Sequence, residues 1–219
     1  AMCFALFMIM LDNTVVNVAL PSIQRELGAS LPALEWTVNI YTLTFAVLLV
    51  TGGRLGDILG RRRMFLAGLV VFTSASLLAA LAWSEASLIG ARAVQGLGAA
   101  IIAPAALSIL MTTFSEGKER NIALGVWGAV GGFGAAAGVL LGGVFTDLLS
   151  WEWIFFVNIP VGILGIVASF LLIPESKDET HERLDGRRDR VLGPRQHDGP
   201  TVVGGGGDGP RAGPPLARA

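Results

Sequence analysis

Long apolar runs alternate with short polar breaks along the first four-fifths of the chain. The runs cover residues 2–22, 36–56, 64–83, 87–111, 122–147 and 153–173. Each is close to or above the roughly 20 residues that a helix, rising about 1.5 Å per residue, needs to cross a hydrocarbon core. The pattern predicts an all-α membrane protein of six transmembrane helices, and an even number of spans returns the chain to the side on which it began. After residue 176 the pattern stops. Residues 177–219 hold no aromatic residue, eight basic and seven acidic residues, and a glycine run from Gly204 to Gly207. Such a composition makes neither a span nor a core. The expected organisation is a six-helix bundle over residues 1–176 and a low-complexity, disordered tail over 177–219.

Loop charge sets the orientation. The connections after the second and fourth runs and the exit from the sixth carry Arg61, Arg62, Arg63, Lys118, Arg120 and Lys177, whereas the opposite connections offer Arg25. Basic loops stay cytoplasmic, because an arginine costs about 2.5–3.5 kcal/mol at the centre of a span. Both termini are therefore expected in the cytoplasm, with the chain multi-pass in the cell membrane. Trp36, Trp83, Trp151 and Trp153 fall at the ends predicted to face outward, where an indole can keep its N–H wet.

Composition narrows the function. The chain is 53% hydrophobic and 15% charged, with a formal charge of -1, which excludes an ordinary soluble domain and gives no support to a nucleic-acid partner. Cys3 cannot form an intramolecular disulfide, and its apolar run makes it a small packing residue. His181 and His197 lie in the polar tail without metal-ligand spacing, and no nucleophile–base grouping occurs in the apolar part, so neither an enzyme, a catalytic residue nor a metal site is expected. The first run begins without a charged flank or a cleavage site, as a span short of its preceding residues does rather than a signal peptide.

Polar residues inside the spans are the candidates for function, because burying them is costly. The first span carries Asp12, Asn13, Thr14 and Asn17 ahead of Pro21, with Asp12 about ten residues, roughly 15 Å, from the outer end. The fourth carries Arg92 about five residues below its outer end, followed by Gln95, Gly96 and Gly98. Asp12 is the opposite charge expected to meet Arg92, keeping the carboxylate charged until a proton or cation displaces the arginine. Asp12, Arg92, Asn17 and Gln95 form the candidate set for proton and substrate coupling.

Two further stretches stand out. Between the second and third spans, Gly53, Gly56 and Gly60 supply backbone freedom for a tight reversal, and Asp57 can either cap a helix start or neutralise a neighbouring arginine. In the fifth span Gly134, Gly138 and Gly142 recur every four residues, so they share a face that admits a close neighbour.

Gly53, Leu55, Asp57, Gly60, Arg61 and Arg62 resemble the G-x-L-x-D-x-x-G-R-R loop of the major facilitator superfamily, with Ile58 where a basic residue is usual. Leu88, Arg92, Gln95, Gly96 and Gly98 resemble a second motif of that superfamily. The stretch from Gly128 to Gly142 and Gly143, the run Trp151 to Gly162, and Leu11 to Pro21 are similar to the fourteen-span drug/proton antiporters, with Val139 in place of a proline and Glu152 in place of a frequent arginine. This likeness covers residues 4 to about 185.

The resemblance implies the N-terminal six-helix half of a proton-coupled exporter of small hydrophobic or cationic compounds, driven by the proton gradient with no bound cofactor. It assigns Asp12 as proton or cation site, Arg92 as its partner, Gly53, Asp57, Gly60, Arg61 and Arg62 as a cytoplasmic gate, and Gly134, Gly138, Gly142 and Gly143 as antiporter-motif packing. The expected partners are a small-molecule substrate, protons and the lipid bilayer, with a second copy or a missing C-terminal half completing the transporter. The alternative is a non-transporting membrane subunit that binds a partner through the glycine seam. From about Gly186 the tail is expected to be a reading-frame product. Glycine and arginine codons read one base later give Val-, Ala- and Leu-rich sequence of about the length of a seventh span.

Overall fold

A computed structural model describes residues 2–172, and among these it is entirely helical, with no strand. The elements are α1 (Met2–Leu27), α2 (Leu31–Leu59), α3 (Arg61–Ala80), α4 (Glu85–Thr113), α5 (Lys118–Leu148), α6 (Trp153–Phe156) and α7 (Asn158–Leu172). Six stretches are long and apolar enough to cross a membrane, the last running from Trp153 to Leu171 through α6 and α7. Val157, between them, keeps helical angles. The interruption has a local cause: Pro160 has no N–H to offer the carbonyl four residues back, at Phe156.

The six spans match the expected runs; the first, second, fourth and fifth overshoot them, while the third is shifted three residues toward the N-terminus. α1 continues past Pro21 to Leu27, and α2 begins at Leu31 rather than near Glu35 or Trp36. The connections that remain are short and chemically explicit. Gly28 takes φ 67° after α1. Ser30 caps α2, its hydroxyl accepting from the Ala33 N–H, and Ser84 and Ser87 form a reciprocal capping box at the start of α4.

The region 53–65 holds the expected tight reversal, but Gly53, Gly56 and Asp57 lie outside the turn itself: α2 runs through them to Leu59 and only Gly60 leaves helical geometry, at φ 102°. One residue in a conformation that glycine alone adopts freely makes the whole reversal.

α4 is the central helix, packing extensively on both α2 and α3, while α5 lies along α1. Glycine permits these approaches. A Cβ on Gly96 would strike the Tyr41 carbonyl of α2, one on Gly52 would strike the Ala100 carbonyl of α4, and one on Gly98 would fall 2.7 Å from the Phe72 nitrogen of α3. Gly96 and Gly98, two residues apart and so on roughly opposite sides of α4, thus serve two different neighbours.

Buried side chains form two clusters. Val15, Ala19, Ile23, Leu34, Leu88, Trp151 and Phe155 belong to one. Met8, Tyr41, Phe65, Leu69, Phe72, Ile102 and Ile109 belong to the other. Asp12 follows Leu11 of the first cluster and lies one turn beyond Met8 of the second, so the polar site sits where the two clusters meet.

The two ends of the bundle differ in charge, as the loops predict. Arg62, at the start of α3, donates through Nη2 to the Phe170 carbonyl near the end of α7, at 3.1 Å. Met2 and Cys3 line a pocket with Phe114 and Glu119. Both ends of the described chain therefore lie at the end of the bundle that holds the arginine-rich turn and the α4–α5 connection. At the opposite end, Glu85 accepts from the Ser30 N–H and hydroxyl, joining the α1–α2 and α3–α4 connections.

Trp36, Trp83 and Trp153 are exposed at that opposite end, but Trp151 is 2% exposed. The turn before α6 folds Trp151 back into the core, edge-on to Phe155 at 6.3 Å, so it is a packing residue rather than an interfacial anchor. The expectations for the tail over 177–219, its reading-frame origin from about 186, Lys177, and both histidines lie outside the described residues.

Candidate functional site

Asp12 projects from the buried face of α1. Met8, Val15 and Val16, one turn away on either side, and Ala19, two turns on, are buried with it, so helical periodicity delivers the carboxylate into the bundle. On α4, Arg92 and Gln95 are separated by three residues and share a face, again with buried neighbours Leu88 and Ala99. The two helices bring together residues 80 apart in sequence.

Asp12 is 0% exposed and Arg92 is 1% exposed. Nη1 of Arg92 donates to Oδ2 of Asp12 at 2.6 Å. The other carboxylate oxygen, Oδ1, accepts from Gln95 Nε2 at 2.7 Å and from Asn158 Nδ2 at 2.9 Å. Ser76 Oγ of α3 accepts from Gln95 Nε2 at 2.7 Å and from Asn158 Nδ2 at 3.4 Å.

The arginine is held independently on its far side. Its Nε donates to the Thr37 carbonyl at 3.3 Å and its Nη1 to Gln95 Oε1 at 2.7 Å. Its guanidinium carbon lies 4.1 Å from the centre of the Tyr41 ring and 5.9 Å from that of Phe155. Five helices, α1, α2, α3, α4 and α7, converge on one carboxylate and one guanidinium whose charges cancel.

An ion pair removed from water is tolerable only when its remaining hydrogen-bonding capacity is also met, and here amides and a hydroxyl do most of that work. The arrangement can exchange a proton at Asp12 and let Arg92 change partners. It contains no nucleophile–base pair, and among the described residues no group of His, Cys, Asp and Glu has the form of a metal site.

Asn17 does not join this site. It faces away from the bundle core, exposed, and its Nδ2 donates at 2.7 Å to the Asn13 carbonyl of its own helix. Asp12 is also deeper than expected: with α1 ending at Leu27, it lies about fifteen residues, roughly 22 Å, from that end.

Ser76, Asn158, Thr37 and Tyr41 were not among the expected site residues. Asn158 carried a signal, since a side-chain amide inside an apolar run must find a polar partner. Ser76 carried almost none, because a serine can satisfy itself on its own helix.

In the expected gate, Asp57 pairs with Arg61 at 3.7 Å, one turn apart. It does not cap α3, whose start at Gly60 has no side-chain cap. Arg62 reaches across to α7, its Cζ 5.6 Å from the Phe170 ring centre. Gly53 lies beside Pro104 of α4, and a Cβ on Gly56 would meet open space.

The glycine seam is occupied within the bundle. A Cβ on Gly134 would fall 2.8 Å from the Phe7 carbonyl oxygen. On Gly138 it would lie 2.8 Å from both the Leu11 carbonyl oxygen and Thr14 Cβ, and on Gly142 it would lie 2.9 Å from Val18 Cβ. α1 therefore fills the seam, which is not free for a partner, and Gly143 has nothing within 4 Å of its added Cβ and takes no part in it.

Comparison with known proteins agrees with this architecture. The cephamycin export protein CmcT of Amycolatopsis lactamdurans is 51% identical over 185 residues, 84% of this chain and 38% of its own length. The puromycin resistance protein pur8 of Streptomyces alboniger is 47% identical, over 83% of this chain and 36% of its own. The multidrug resistance protein Stp of Mycobacterium tuberculosis is 41% identical, over 82% and 34%. The chain thus spans little more than a third of the length of these curated relatives.

A crystal structure of a peptide transporter, POT (E310Q mutant) in complex with sulfate, superposes with a TM-score of 0.66 at 18% identity, over 87% of this chain and 43% of that one, which shows the fold. The family model of the major facilitator superfamily matches residues 2–206. This chain, a multi-pass bundle of six apolar spans, belongs to the major facilitator superfamily, a family of transporters rather than enzymes.

Proposed function

We propose that the chain is the N-terminal bundle of a proton-coupled exporter that expels small hydrophobic or cationic compounds across the cytoplasmic membrane. The observation that carries this reading is the Asp12–Arg92 pair, buried between α1 and α4 and tied by hydrogen bonds to two further helices, α2 through Thr37 and α7 through Asn158. A titratable group kept so deep, at such desolvation cost, is the expected mark of a proton relay. The relatives named for export of, or resistance to, cephamycin, puromycin and other drugs support the outward direction.

In this mechanism a proton arriving at Asp12 neutralises the carboxylate, and Arg92 keeps its contacts with Thr37, Gln95 and Tyr41 while losing its hold on α1. The arginine-rich end faces the cytoplasm, as basic loops do, with Asp57, Arg61 and Arg62 closing that side. Alternating access sets two bundles against each other around a midplane site, so the second bundle comes from a C-terminal half.

A chimera of residues 1–185 with the C-terminal remainder of the cephamycin export protein tests the reading. In inverted vesicles it should move protons on addition of ethidium or cephamycin, and both Asp12→Asn and Arg92→Ala should abolish that movement. Unchanged proton movement in both variants would reduce the pair to a structural role.

A further inference from the structure

Asn158 and Tyr41 are members of the site with an oxygen left unused, and of the two Asn158 is the one hydrogen-bonded to Asp12. The residue is 1% exposed. Its Nδ2 donates to Asp12 Oδ1 at 2.9 Å and lies 3.4 Å from Ser76 Oγ, yet its Oδ1 is buried without any hydrogen-bond partner. A buried amide carbonyl left unpaired is costly, and such orphans need a reason. An ionised Asp12 explains the orientation: a carboxylate can only accept, so the amide must turn its N–H toward it and its carbonyl away.

The groups around Asp12 limit what happens when the carboxylate takes up a proton. Among the described residues, the titratable or charged side chains in contact with Asp12 or its partners are Arg92 from α4 and Tyr41 from α2, while α5 meets this part of α1 with Gly134 and Gly138. α3 contributes Ser76, α7 contributes Asn158, and α6 contributes Phe155. The new O–H needs an acceptor. Gln95 Oε1 already accepts from Arg92, and Ser76 Oγ already accepts from both amides. Among the described side chains around the carboxylate, two oxygens stand unused, Asn158 Oδ1 and Tyr41 Oη, and of these two residues Asn158 is the one already hydrogen-bonded to Asp12. A half-turn about its terminal torsion, which is broad and roughly two-fold for asparagine, exchanges Nδ2 for Oδ1 in front of Asp12.

We infer that Asn158 is a positioning residue that reports the protonation state of Asp12, donating through Nδ2 to the carboxylate and accepting through Oδ1 from the acid. The inference rests on the proposed role of Asp12 as proton site and adds a direction to it. In the ionised form α1 is tied to α4, through Arg92 and Gln95, and to α7, through Asn158. In the protonated form the ionic tie to Arg92 is lost, the neutral contact with Gln95 remains, and the tie to α7 is kept with its polarity reversed. Proton uptake thus releases α1 from one partner, Arg92, selectively rather than loosening the whole site.

Infrared difference spectroscopy of the 219-residue chain in lipid nanodiscs, on acidification, reads both ends of this bond. A carboxylic-acid C=O band should appear and be absent in Asp12→Asn. In Asn158→Leu the same band should shift to higher frequency, as its O–H loses its acceptor, while Ser76→Ala should leave it in place. In the unsubstituted chain with carbonyl-labelled asparagine, one amide C=O band should move to lower frequency on acidification, which keeps the test intact if Asn158→Leu fails to insert. An acid band at the same frequency in Asn158→Leu, or an unmoved labelled amide band, overturns the role of Asn158 while leaving Asp12 as proton site. Absence of any band that depends on Asp12 overturns both.

Discussion

Among the described residues, the aspartate–arginine pairs Asp12–Arg92 and Asp57–Arg61 are opposites in origin, distance and burial. Asp12 and Arg92 come from different helices, meet at 2.6 Å and are 0% and 1% exposed. Asp57 and Arg61 lie one helical turn apart, approach only to 3.7 Å and are 44% and 16% exposed. In the first pair, removing one partner strands a charge in an apolar interior. In the second, the contact is longer and the carboxylate is open to water and salt, so breaking it costs less. The same two residue types therefore make a coupled element in one place and a weak surface clasp in the other. Burial and hydrogen bonding, not the identity of the pair, decide which.

The largest expected effect is on the buried pair. Arg92→Ala should destabilise the chain in detergent by about 3–5 kcal/mol, the usual cost of leaving one member of a buried pair uncompensated. Thermal or denaturant unfolding followed by tryptophan fluorescence would measure it. If the cost is the stranded charge, the double replacement Asp12→Leu with Arg92→Met should be less destabilising than Arg92→Ala alone, and a strictly additive result would refute that account.

Next in size is the packing that holds α1, and so Asp12, in place. Gly138→Val should cost about 1–3 kcal/mol through overpacking against the Leu11 carbonyl and Thr14. Gly143→Ala, one residue beyond the crowded Gly142 but facing open space, should stay within about 0.5 kcal/mol of the parent. Equal effects at the two glycines would show that the seam is not what seats α1.

The smallest stability effect belongs to the exposed pair. Asp57→Asn should cost less than about 1 kcal/mol, and the difference should shrink as salt is raised. In the chimera, loss of drug-driven proton movement in Asp57→Asn without loss of stability would separate a gating role from a structural one.

Much of the architecture was legible before any coordinates. The number of spans, their approximate limits and the charge difference between the ends follow from hydrocarbon thickness and the cost of burying arginine. The pairing of Asp12 with Arg92 could be expected because each demanded a partner that an apolar span could not otherwise supply. The spacing of Gly134, Gly138 and Gly142 announced a close neighbour without saying that it would be α1.

The remainder escaped for identifiable reasons. Neutral polar residues such as Ser76 make no long-range demand that a linear pattern can register. Asn17 shares its span with Asp12, but its angular position on α1 places it on the exposed side. Trp151 sits at a span end, yet the turn that precedes α6 carries it inward, a tertiary outcome that an end-of-span rule cannot anticipate. The turn in region 53–65 looked longer than it is because glycine and charge usually mark one, whereas packing against α4 keeps the chain helical up to Gly60.

Gly60 has a mechanical consequence. A hinge of one residue has no slack, so a displacement at the foot of α2 must be passed on to α3 rather than absorbed between them. Arg62, in the first turn of α3, then grips the Phe170 carbonyl and ring and extends the linkage to α7. At this end of the bundle α2, α3 and α7 behave as one lever arm. α7 is also the helix whose Asn158 touches Asp12, so a push at the arginine-rich turn has a short, stiff route to the buried carboxylate.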